Sequence, residues 1–286
     1  MNTEQPIDPY RAPDALGTEP APAERSAGTP LDWEPFESFQ FAWEAVRRHW
    51  MVVLYQFVAG IVGALIATVG SVAQNLMALS GDGDLVLLSW VVYGVATLLN
   101  VPLAAWMALG MSRYALEMAR GRKPEFALVF RTEGLGTAVA IQLVTVLFFI
   151  LAACVLLGPG AWFVFQKDQP GIGATLLVGG MMLLSVLAIF VTAKWILFST
   201  LAVADGARGT EALERSAAVS RGVFWRIVLF ALLLMLLSVV AMIVGLLMLC
   251  IGLIATIPAA QAMSQIALAH GYLLRRGERP VLPAPN

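Results

Sequence analysis

Charge is scarce in this sequence. Only 13% of its 286 residues are Asp, Glu, Lys or Arg, against roughly 25% in ordinary soluble domains. Cysteine and histidine are rarer still, represented by Cys154, Cys250, His49 and His270 alone. There is no Cys-x-x-Cys spacing, so zinc and redox-motif readings have no basis. Each histidine stands at a predicted membrane boundary away from any cluster of ligand-type residues, and reads as an interfacial polar tip. No Ser-His-Asp set, glycine-rich phosphate loop or pair of intramembrane carboxylates is present. Gly158-Pro159-Gly160 follows an apolar run and reads as a turn. No enzyme activity is expected, and no catalytic, cofactor-binding or metal-binding residue. The formal net charge of −1 gives no sign of a nucleic-acid partner; the information lies in where the charges sit.

What fills the space is apolar. Hydrophobic residues make up 59% of the chain, more than a soluble core of this size can enclose. Several uncharged runs exceed the ~18 residues that mark a membrane span. Between Arg226 and Arg275 there is no charged residue at all. At 1.5 Å per residue such a run far outreaches a ~30 Å hydrocarbon layer, so it must fold back as two helices. The expected fold class is all-α: a polytopic helical membrane protein of six spans arranged as three hairpins, each preceded by a short amphipathic interfacial helix.

Along the chain, residues 1–32 are rich in Pro, Ala, Glu and Asp and are expected to be disordered, lacking the apolar surface to offset chain entropy. No basic segment precedes an apolar one there, so a signal peptide is not expected. The domain boundaries are drawn as a Pro-rich tail at 1–34, a membrane domain at 35–280 and a short tail at 281–286. Pro35 opens an amphipathic segment with Phe36, Phe39, Trp43, Val46 and Trp50 on one face and Glu37, Gln40, Glu44 and Arg47 on the other. That pattern suits a helix lying among lipid headgroups. Spans are predicted at about 51–72, 85–111, 137–157, 176–202, 224–244 and 250–268, with a tight turn near Gly245 joining the last two. Further interfacial pieces are placed at 125–133 and from Thr210, read as an N-cap with Glu211 and Arg215 pairing at i, i+4. Both cysteines fall near the outer ends of predicted spans; a disulfide is conceivable, and two buried small hydrophobes is the plainer reading.

Basic residues set the orientation. Arg47 and Arg48 precede the first span, Arg113, Arg120, Arg122, Lys123 and Arg131 follow the second, and Arg208, Arg215, Arg221 and Arg226 follow the fourth. Arg275, Arg276 and Arg279 follow the sixth, leaving Lys167 alone on the opposite side. Both termini are therefore expected in the cytoplasm. A repeat is also visible. Pro102 and Pro258, Arg120 and Arg276, Gly121 and Gly277, and Pro124 and Pro280 all share one interval. The shared Arg-Gly-x-Lys/Arg-Pro is a stop signal, with bases at the negative helix end, a glycine to turn and a proline to forbid continuation.

The segments Ala204-Asp205-Gly206, Glu211-Ala212-Leu213-Glu214-Arg215-Ser216, Gly222-Val223-Phe224-Trp225-Arg226 and Gly252-Leu253-Ile254-Ala255-Thr256-Ile257-Pro258 resemble a set of bacterial six-span membrane proteins. These include the membrane domain of some glycerophosphoryl diester phosphodiesterases. The resemblance implies a helical domain of the bacterial inner membrane, and the phosphodiesterase chemistry belongs to a separate barrel domain that this chain lacks.

Lys194 is the one charge inside a predicted span, and such residues are functional candidates, although its long stem can snorkel to the headgroups. Asn100, Gln142, Gln261 and Gln265 are intramembrane polar groups that need interior partners, and together with Lys194 they form the candidate polar site. The leading expectation is a non-enzymatic integral inner-membrane protein with a structural or regulatory role in the envelope. A transporter or a lipid- or small-molecule-binding protein is the first alternative, and a membrane anchor for a soluble partner the second. The expected partners are the lipid bilayer and a protein docking at the cytoplasmic loops or the N-terminal tail.

Overall fold

The structure is a computed structural model that describes residues 29–79, 83–165, 170–248 and 251–283. Its described residues are helical, with no strand among them beyond a single isolated bridge between Arg120 and Val281. The order is α1 (Pro35–Arg48), α2 (Met51–Leu79), α3 (Gly83–Ala119), a 3-10 turn (Phe126–Phe130), α4 (Leu135–Phe165) and α5 (Pro170–Val191). A π turn (Thr192–Ile196) then leads into α6 (Ser199–Ala204), α7 (Glu211–Ser220), α8 (Phe224–Leu247) and α9 (Ile251–Arg275).

Among the described residues, three stretches are long and apolar enough to cross a membrane: Leu135–Val164, Gly171–Ala204 and Phe224–Leu247, with mean hydropathies of 2.8, 2.4 and 3.2. Few of the residues in their most apolar windows are fully buried in the protein. Val155, Met182, Val186 and Met235 are each about two-thirds exposed or more, the kind of apolar surface that meets a membrane or a protein partner. The bent pair α1 plus Met51–Leu65 passes the same test as one broken unit, with 93° between its halves. The expected all-α class is present, but the six spans and their hairpin layout are not supported, since the described residues give three candidate spans, or four with the bent pair. α3 runs on through Arg113 and Glu117 to Ala119, and α9 carries Gln261, Gln265 and His270 within it.

Sequence-adjacent helices pack on each other, α2 on α3, α4 on α5 and α8 on α9, and α9 also touches α1, α2 and α3. The buried core lies towards one end of the molecule, among the end of α3, α6, α7 and the second half of α9. Leu109, Met118, Phe198, Leu201, Ile266 and Tyr272 are almost or wholly inaccessible there.

Several expectations are corrected. Gly158-Pro159-Gly160 is not a turn but lies inside α4. A lipid-embedded helix tolerates a proline, and the glycine is needed for contact, since a Cβ on Gly160 would sit 2.7 Å from Leu177 of α5. The turn near Gly245 lies further on. Gly245 is buried within α8 and packs against Gly252 of α9, and residues 249–250, with Cys250, fall outside the described residues. Cys154 is exposed on α4, not buried, because no protein packs on that face. Thr210 does not cap α7; its backbone is already helical and its side chain makes no capping bond. The expected pairing of Arg215 with Glu211 is present at 2.5 Å.

The boundary of the N-terminal tail also moves. Residues 1–28 lie outside the described residues, but Trp33 is fully buried. Its indole N–H donates to Ser38 Oγ at 2.8 Å, and its ring meets Phe198 and Phe230. It packs so closely on Gly271 that any side chain there would overlap it. A polar flank made this stretch look like linker, whereas one tryptophan ties it into the core.

Candidate functional site

Three helices end in the same way. At Gly121, the glycine N–H bonds Met118 C=O and the Arg122 N–H reaches back to Glu117 C=O. At Gly277, the bonds run from Gly277 to Leu274 and from Glu278 to Leu273. At Gly206, they run from Gly206 to Val203 and from Ala207 to Ala202. Each is a Schellman cap, which needs a residue in the left-handed region after the last helical one. The three glycines have φ of 75°, 78° and 95°.

The residue just before each glycine is Arg120, Asp205 or Arg276, and the fold brings these three together. Arg120 Nη2 lies 2.6 Å from Asp205 Oδ1, and Arg276 pairs with Asp205 Oδ2. Tyr272 donates its hydroxyl to Oδ2 at 3.3 Å, and Arg120 Nε reaches Glu278 at 3.1 Å. The Asp205 side chain is only 1% exposed. Two arginines and two carboxylates balance in charge, which is what makes an ion cluster this deep affordable. The Val281 N–H bonds Ala119 C=O at 2.9 Å, tying the chain's last described segment to the end of α3.

Neighbouring cations tie further ends down. Arg275 donates through Nε to Val219 C=O at 3.1 Å and through Nη2 to Arg221 C=O at 2.9 Å, satisfying carbonyls at the end of α7. Arg113, almost buried, donates to the carbonyls of Arg131 and Glu133.

The candidate polar site does not assemble as one cluster. Lys194 lies in the π turn, where the Leu197 N–H bonds Thr192 C=O at 2.9 Å. Its ammonium stands 4.4 Å from the Trp195 ring centroid and 5.6 Å from that of Phe190, within cation–π range. A cavity of about 350 Å³ beside it is lined by Phe190, Lys194, Ser220, Arg221 and Phe224. A second, of about 450 Å³ and almost wholly apolar, lies towards Val144, Phe148 and Leu213. Neither is lined by Asn100, Gln142, Gln261 or Gln265. Gln261 instead accepts from Gln56 of α2 at 2.7 Å, the helix–helix bond expected of such a residue. Asn100, Gln142 and Gln265 are half-buried on α3, α4 and α9.

His270 departs from the interfacial reading. It is buried, with Nδ1 2.9 Å from Ser38 Oγ, completing a chain from Trp33 through Ser38. Among the described residues no group of three or more His, Cys, Asp and Glu could hold a metal. Asp205 is the residue that sequence reasoning missed. The signal was available in its position before Gly206, the place that Arg120 and Arg276 hold before their own glycines.

In comparisons with protein-family models, curated proteins and solved structures, nothing matches this chain.

Proposed function

We propose that the chain is a non-enzymatic, six-span protein of the bacterial inner membrane that acts as a structural or regulatory element of the envelope. In this reading α2, α3, α4, α5 with α6, α8 and α9 cross the bilayer as three hairpins. α1, the 3-10 turn and α7 lie at the cytoplasmic surface with both termini. The pairwise packing of sequence neighbours supports this arrangement, as does the excess of bases at the span ends on that side. The resemblance to phosphodiesterase membrane domains belongs to the same reading.

One observation carries it. Both carboxylate oxygens of Asp205, the most buried acid among the described residues, are engaged by Arg120, Arg276 and Tyr272, which supports reading Asp205 as part of the frame. Reporter fusions placed after Arg122 and after Arg276 should both report the cytoplasm; an external signal at either would overturn the layout. Purified protein in nanodiscs should hydrolyse phosphodiesters no faster than Lys194→Ala protein. A clear excess would overturn the non-enzymatic reading.

A transporter or small-molecule-binding protein is the second reading, favoured by Lys194 at the mouth of its 350 Å³ cavity and by the π turn, a feature often found at functional sites. Uptake that Lys194→Ala leaves unchanged would remove it.

A further inference from the structure

Between the end of α1 and the exit from α3 lies a smaller cavity of about 250 Å³. It is lined by Arg48, His49, Trp50, Tyr114, Lys123 and Phe126, among others. His49 is only 8% exposed, and its Nε2 is buried without a hydrogen-bond partner. A buried polar atom left unpaired is costly and calls for an explanation. Lys123 forms no ion pair among the described residues, while Arg48 shares Glu44 along its own helix. Burial, with Lys123 and Arg48 adding to it, holds His49 below its ordinary value, so its ring is neutral at neutral pH. In the Nε2–H tautomer it is an unpartnered donor on a residue that lines the cavity, which Arg48 and Lys123 flank.

The surroundings of that cavity are apolar. Trp50, Met51 and Phe126 at its mouth are about half exposed or more, and Leu54 and Val58 continue the exposed strip along α2. α1 meets α2 at 93°, so if α2 spans the bilayer, α1 lies along its surface, exposing Phe36 and Trp43. The cavity then sits at headgroup depth and the strip runs down beside the acyl chains.

We infer that this cavity is a binding site for the phosphate headgroup of an anionic phospholipid, with His49 Nε2 and the Lys123 ammonium as donors and the acyl chains lying along Trp50, Leu54 and Val58. The inference rests on reading α1 as a surface helix. A soluble phosphate would fill the same donors but would leave the aromatic strip without a role. Lys and Arg near a membrane surface each strengthen binding of anionic lipid by about five-fold.

The test uses the full chain in nanodiscs of phosphatidylcholine with and without phosphatidylglycerol, reading the lipid retained after release into detergent by native mass spectrometry. Wild-type protein should retain phosphatidylglycerol in preference to phosphatidylcholine, and inorganic phosphate should not displace it. Lys123→Gln and His49→Gln should each lower retention several-fold, with circular dichroism unchanged, while Lys194→Gln should leave it as in wild type. Equal retention of the two lipids, displacement by inorganic phosphate, or a loss that follows Lys194→Gln and not Lys123→Gln would each overturn the assignment. The reporter fusions fail independently: an external signal after Arg122 would overturn the proposed orientation without altering the lipid measurement.

Discussion

The two ends of this molecule are held by different physics. At the packed end, three Schellman caps place Arg120, Asp205 and Arg276 in one buried cluster, and Trp33, Ser38 and His270 form a second polar chain nearby. Towards the other end, α4 and α5 meet through glycines and leave most of their large side chains exposed. One end is specified by directional bonds that only certain residues at certain positions can make. The other is specified by close backbone approach, and its remaining surface needs only to be apolar. A membrane accounts for the difference, because lipid supplies no driving force for one apolar helix to choose another.

The sharpest way to break that comparison is to remove the central acid. Asp205→Ala leaves Arg120 and Arg276 without the buried carboxylate they share, with Glu278 still beside them, and should cost about 3–5 kcal/mol. Met182→Ala on the exposed face of α5 should stay within about 0.5 kcal/mol. Thermal unfolding in detergent micelles measures both, and similar losses would erase the distinction. Trp33→Ala should also be severe, at about 3–5 kcal/mol by the cost of emptying a buried aromatic site, read in the same assay. A small effect would return residues 29–34 to the tail.

The α4–α5 seam offers a matched pair of neighbours. A Cβ on Gly180 would run into the Leu156 carbonyl, whereas one on Gly179 would meet nothing within 4 Å. Gly180→Ala should therefore destabilise by about 1–3 kcal/mol as an overpacked contact does, while Gly179→Ala is neutral or slightly stabilising. Equal effects would mean that the seam is not formed as described.

The smallest expected effect concerns the attachment of the N-terminal segment. The hydrogen bond from Arg226 holds the Asp32 carboxyl below its usual range. A depressed carboxylate contributes while ionised, so its share is fully present above its unfolded value of about 3.8 and fades as pH falls through the lower folded one. Hydrogen exchange across residues 31–34, corrected for intrinsic rates, should be steady from neutral pH to about 4 and rise below it. Asp32→Asn should show the faster exchange throughout, and because the pair is exposed the difference should be slight.

How much of this was legible beforehand follows the same division. The apolar runs announced the spans of α4, α5 and α8, because length and lack of charge are one-dimensional properties. The Arg-Gly interval marked Arg120 and Arg276, and the structure shows why the interval matters, since both arginines reach one carboxylate. Asp205 escaped because an acid beside a glycine at the end of a span looks like a loop until its two partners are brought to it in space. Trp33 escaped because a composition average cannot register one residue that fills a buried site. Pro159 and Gly245 were misread as turn signals because the rules for soluble helices penalise residues that membrane helices use for contact. Lys194, the most conspicuous residue of the spans, rests against two aromatic rings at a cavity mouth and takes no part in the polar cluster that holds the fold.

The central claim is that Asp205 joins the ends of separate helices through its arginines. A double-mutant cycle on Arg120→Ala and Asp205→Ala, read by reversible unfolding in detergent, tests it directly. The account predicts a coupling of about 1–3 kcal/mol, the range for residues sharing an ion network. Losses that simply add would contradict it.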